Sequence, residues 1–97
     1  MEFDLSPLLK DNRLVVHCPD HEVAIAFVGY IRKMYPHRYF RGYPGESEYW
    51  NQHFENTCYL PRIPDGPGMQ YSDLEYYRDH GYRIINVSEL MLANDIG

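Results

Sequence analysis

His17, Cys18 and His21, with His53 and Cys58 further on, carry the atoms that a zinc ion takes. Imidazole nitrogen and thiolate sulfur are its usual ligands, but the spacing here is poor. His17 and Cys18 are adjacent in a run that reads as a strand, where neighbours point to opposite faces, and Cys58 has no second cysteine beside it. A cysteine with any of the five histidines could in principle form a nucleophile and its base, since a thiolate needs only a base within reach. No local signature supports such a pair. Core thiols and helix-end histidines are the reading, with no metal and no cofactor. Glu46, Glu48, Asp73, Glu75 and Asp79 sit where helix starts and solvated faces place carboxylates. The phosphate-cradling, dinucleotide and nucleophile-elbow glycine motifs are all missing, so the chain reads as a non-enzyme.

Recognition chemistry is better represented. Between Arg38 and Trp50 the rings of Tyr39, Phe40, Tyr43, Tyr49 and Trp50 crowd together with Arg38 and Arg41 around Gly42, Pro44 and Gly45. Rings and guanidinium groups anchor interfaces because they bury much area at small rotamer cost, and they stack on planar ligands. Some of these rings must also complete a small core. A second pair, Tyr76-Tyr77, lies on a helix, where adjacent positions diverge by about 100° and only one ring can face inward.

These residues must be positioned by a few short elements. Residues 1–12, with Leu5, Leu8 and Leu9 around Pro7, form an N-terminal arm that turns at Asp11-Asn12. Arg13 to Cys18 is a buried strand stopped by Pro19. Val23, Phe27, Tyr30, Ile31 and Met34 then fall at helical spacing, with Cys18 or Asp20 as N-cap and Pro36 ending the pattern at Tyr35. Residues 37–45 are a strand or a loop. Glu46 to Glu55 reads as a short amphipathic helix, started by Gly45 or Ser47. Thr57 to Leu60 is a strand, with Met69 to Tyr71 as its hairpin partner across a proline-rich loop. Ser72 and Glu75 read as a capping box, opening a helix that closes at Gly81. Tyr82 to Val87 is the last strand and Ser88 to Leu92 a closing helix. The order predicts one α+β domain over 1–97. It would hold a small mixed sheet of about four strands with two main helices on one face, a split βαβ, ferredoxin-like arrangement or a variant of it.

Bulk properties narrow the function. A chain of 97 residues with 44% apolar content folds around one core, and two cysteines define no disulfide framework. No stretch reads as a signal peptide or a membrane span, so the cytoplasm is the expected compartment. A net charge of −5 disfavours a surface that neutralises duplex DNA. An acidic, tyrosine-rich surface is compatible with docking on a basic partner, and −5 is also an ordinary solubility charge.

Val15-Val16-His17-Cys18-Pro19, the acidic-started helix with Ala24 and Phe27, Tyr49-Trp50, Asn56-Thr57-Cys58-Tyr59 and Tyr76 to Ile85 together resemble the layout of small bacteriophage and prophage accessory proteins. That resemblance spans about residues 14–90. It implies an inhibitor of host defence, as anti-CRISPR proteins are, that occupies the surface of a host defence protein in the bacterial cytoplasm. Tyr43, Tyr49, Trp50 and Tyr76 or Tyr77 are then the expected partner-binding anchors. A second reading is a sponge for a nucleotide immune signal, with Arg38 and Arg41 on phosphates and Tyr39 or Tyr43 on the base, built between protomers of a homo-oligomer. A third is a metal-dependent hydrolase using His17, His21, His53 or Cys58.

Overall fold

Runs of apolar residues without alternation set the architecture, because a strand whose successive side chains are all buried must be covered on both faces. Val15 and Val16 on one strand, and Thr57, Cys58, Tyr59 and Leu60 on the next, are all buried. The computed structural model describes residues 2–37, 40, 48–64, 66 and 68–92. Its elements are α1 (Ser6–Lys10), β1 (Val15–His17), α2 (His21–Met34), two single 3-10 turns (Trp50–Gln52 and Phe54–Asn56), β2 (Thr57–Leu60), β3 (Gln70–Asp73), α3 (Leu74–Asp79), β4 (Ile84–Asn86) and a last 3-10 turn (Val87–Glu89).

The four strands lie in the order β3-β2-β1-β4. β1 runs antiparallel to β2 and parallel to β4, and β2 pairs antiparallel with β3. The mixed four-stranded α+β sheet is therefore present, with the strands and the two main helices in the predicted order, in a variant topology. A split βαβ unit would bring the chain back parallel, one place removed. Here α2 leads from β1 to an antiparallel neighbour, and only α3 joins parallel strands, β3 and β4, across the two between them.

The helices correct a second expectation: they pack on opposite faces. Phe27, Val28 and Ile31 of α2 share a cluster with Val16, Cys18 and Tyr59, together with Phe3 and Leu8 from the arm. Tyr77 of α3 joins Val15, Cys58 and Leu60, with Leu74, Tyr82 and Ile84 against them. Register decides the split, since Val16 faces Tyr59 while His17 faces Cys58, and residues one apart on a strand point opposite ways.

Local signals hold to within a residue or two. Asp20 caps α2, its carboxylate accepting from the N–H groups of Glu22 at 2.9 Å and Val23 at 3.3 Å. Gly81 follows α3 at φ +76, a backbone conformation that favours glycine. The expected Ser72–Glu75 box is displaced: β3 pairing continues through Ser72 and Asp73, so Asp73 is the cap, accepting from Tyr76 N–H at 2.7 Å. The reciprocal box sits instead at Asn86 and Glu89, and the closing helix is one 3-10 turn.

On the α2 face the rings form a continuous chain. Phe3 meets Phe27 edge-on at 5.3 Å, Phe27 lies 6.5 Å from Tyr59, Tyr59 lies 5.8 Å from Phe40, and Phe40 meets Tyr49 edge-on at 5.0 Å. Phe27 is fully buried in its middle. Truncating it to alanine should lower the unfolding free energy by about 3–5 kcal/mol, the cost of a buried ring plus its cavity, as read from urea denaturation.

Candidate functional site

The segment Glu48–Asn56 carries most of the candidate chemistry within the described residues and contains no α-helix. Its two 3-10 turns make few bonds of their own, so the sheet must hold it, and its carbonyls show how. The buried Tyr59 hydroxyl donates to Glu48 C=O at 2.7 Å. Thr57 Oγ1 lies 2.7 Å from Phe54 C=O and 3.2 Å from Trp50 C=O. His17 Nε2 donates to Glu55 C=O at 2.8 Å, and Trp50 Nε1–H donates to Cys18 C=O at 2.9 Å. Side chains and backbone at the end of β1 and the start of β2 thus clamp the segment along its length.

Two residues of this segment adopt left-handed backbone, Tyr49 at φ +55 and Phe54 at φ +50. For a non-glycine residue that conformation costs about 1–2 kcal/mol, which the clamping bonds offset. Strain of this kind persists only where surrounding structure fixes it. At Phe54 the outcome is an aromatic ring 54% exposed. Trp50 backs it, edge-on at 5.7 Å, and is itself stacked on His21 at 4.6 Å with ring planes 9° apart. His21 Nε2 meets Glu48 Oε1 at 2.6 Å. Glu48, His21, Trp50 and Phe54 therefore form one rigid ledge at the N-terminus of α2.

The predicted anchors fare unequally. Trp50 is half-buried as the base of the ledge. Tyr49 is half-buried too and turned inward, stacked on Tyr71 at 4.8 Å and edge-on to the buried Phe40. Tyr77 is corrected outright: at 4% exposure it is a core residue of the α3 face and cannot anchor a partner, whereas Tyr76 is 42% exposed and stacks on His80. Tyr43, Tyr39, Arg38 and Arg41 lie outside the described residues, as does most of the stretch that reads as strand or loop. The expected helix over 46–55 is not formed from Glu48 onward. Phe54, assigned to that helix by its spacing from Trp50, is the exposed ring that sequence reasoning missed. Phe54 stands at a positive φ at the start of a 3-10 turn, which no residue type in the segment announces.

The alternative chemistry is not assembled among the described residues. No three His, Cys, Asp or Glu side chains there are grouped as a metal site. Cys18 and Cys58 are free and fully buried. Burial pushes the Cys58 thiol from its ordinary 9.0 up to about 12, with Asp73 adding to the shift, and burial also raises Cys18. Since the thiolate is the nucleophile, both thiols are inert near neutrality.

Strand directions also sort the charges. Asn86, His17, Cys58 and Ser72 form a row across the sheet. Beyond this row lie the segments 18–22, 48–57, 73–75 and 87–89, carrying Asp20, Glu22, Glu48, Glu55, Asp73, Glu75 and Glu89 and no lysine or arginine. Arg13 and Arg83 stand at the opposite end, before β1 and β4, and Arg78 and Lys33 near the last turns of α3 and α2. The ledge thus sits on the acidic end. No helix among the described residues is long and apolar enough to cross a membrane.

No protein-family model, curated protein or solved structure matches this chain.

Two outcomes follow for stability. Thr57→Val removes the hydroxyl that reaches both turns, whose carbonyls keep only their backbone donors, and should cost about 0.5–1.5 kcal/mol. Phe54→Gly should change the unfolding free energy by less than about 1 kcal/mol, because relief of left-handed strain offsets the lost ring contact. Urea titrations of both variants would show whether Phe54 is dispensable for folding. The buried thiol fixes a pH dependence as well. An unfolded chain releases the Cys58 proton near 9.0, while the fold retains it to about 12. Stability is therefore intact below pH 9.0 and is lost as pH rises from there toward about 12. Burial raises the Tyr59 and Tyr77 hydroxyls with the same sign. The urea midpoint should stay level up to the lower limit and then fall, less steeply in Cys58→Ala.

Proposed function

We propose that this chain is a non-enzymatic binding protein that acts by occupying a protein surface, with the ledge of Trp50 and Phe54 as its principal anchor. The observation that carries the reading is the exposure of Phe54 on a strained, fully clamped backbone. A core ring would be covered, and a ring on a loose loop would not have four side-chain donors fixing the segment beneath it. Aromatic side chains held rigid before binding lose little entropy on association and dominate interface energetics. Tyr76 is a second, separate contact.

The resemblance to small phage accessory proteins supplies the setting: the partner is a host defence protein of a bacterium, a CRISPR nuclease or comparable effector. A nucleotide sponge would draw on Arg38, Arg41 and Tyr39, outside the described residues, and no observed geometry favours it.

The test is plating of phage on bacteria that carry such an effector. Expression of the chain should raise plaque counts, and Phe54→Ala should abolish the rise while circular dichroism shows an intact fold. Loss of a central aromatic anchor should weaken association with the purified effector about 30-fold or more. Unchanged plating with the wild-type chain, or full activity of Phe54→Ala, would overturn the reading.

A further inference from the structure

We propose that the ledge and the carboxylates around it are one docking surface, whose occupant is a protein with an apolar pocket rimmed by lysine or arginine. This rests on the proposed function and adds the chemistry of the partner. Phe54 opens the 3-10 turn that leads into β2, at the end where β1, β3 and β4 finish and α2 and α3 begin. Helix dipoles explain acids at the starts of α2 and α3. They do not explain why that end, among the described residues, holds no lysine or arginine and also carries an exposed ring backed by an indole.

Charge complementarity selects the occupant. The carboxylates of Glu22, Glu55 and Glu75 are on exposed residues, and the compensating guanidinium groups of Arg13 and Arg83 lie at the far end of the sheet. The described residues therefore present negative charge on one side, which steers a basic surface toward Phe54 and repels an acidic one. The ring then needs an apolar pocket to gain by burial. A partner offering only cations would leave Phe54 in water, and one offering only an apolar pocket would leave the carboxylates desolvated without counter-charges.

The experiment uses the full chain labelled with 15N and a synthetic peptide of alternating lysine and leucine as probe. Comparison peptides carry glutamate in place of lysine or serine in place of leucine. Chemical-shift changes are expected to concentrate in residues 18–22, 48–57 and 73–75, and to require both lysine and leucine in the peptide. Affinity should fall by about tenfold in a Glu22→Gln, Glu55→Gln, Glu75→Gln triple variant, and also on raising salt well beyond the physiological range. An Arg13→Gln, Arg83→Gln variant should bind as the wild type does.

Shifts centred on the Arg13 and Arg83 end, or equal binding of the glutamate peptide, would overturn the proposal. If the triple variant binds unchanged while Phe54→Ala loses the peptide, the charge inference falls and the ledge reading survives. If Phe54→Ala binds unchanged while the triple variant is weakened, the ledge reading itself falls.

Discussion

The hydrogen bond from the Tyr59 hydroxyl to the Glu48 carbonyl is the constraint on which the rest of this molecule turns. Tyr59 is fully buried in the middle of β2, and its ring sits between Phe27 and Phe40 in the aromatic chain under α2. Its hydroxyl must therefore find an acceptor inside the protein, and it finds one on a segment with no helix of its own. A core residue thus fixes the start of the surface ledge, and any change that shifts β2 also shifts Trp50 and Phe54. Core packing and the placement of the ledge are coupled through this bond, together with those of His17, Trp50 and Thr57.

The two-sided burial of the sheet explains how so short a chain supports this. Three of the strands have their faces covered by α2 and the N-terminal arm on one side and by α3 on the other. β1 and β2 accordingly contribute nearly every residue to the interior. That leaves His17 and Thr57, near the row where the sheet ends, as the polar side chains able to reach back to the carbonyls of residues 54 and 55. Cys58 lies in β2 and Cys18 directly follows β1, in the clusters on opposite faces. Their burial makes them packing residues with strongly suppressed acidity.

Charge follows the same topology. Each carboxylate at the start of α2, of α3 and of the last 3-10 turn serves a local purpose as a cap or dipole partner. Because all three elements begin at the same end of the sheet, local satisfactions sum to a one-sided field. A modest net charge of −5 therefore understates how acidic one end of the protein is.

Much was legible in the residue order. The α2 boundaries at Asp20 and Tyr35, the strand Thr57–Leu60 and the Gly81 stop are written in local signals, because caps, prolines and β-branched runs act over a few residues. The mutual exclusion of Tyr76 and Tyr77 follows from helix geometry alone, as does the opposition of His17 and Cys18 on a strand. Three features belonged to tertiary structure. The helices took opposite faces because register, which depends on pairing between distant strands, decided where Val15 and Val16 point. Glu48–Asn56 became turns and not a helix because distant donors from β1 and β2 outbid local helical bonds. Phe54 stood exposed only once those long-range contacts were made, since no nearby residue encodes its exposure.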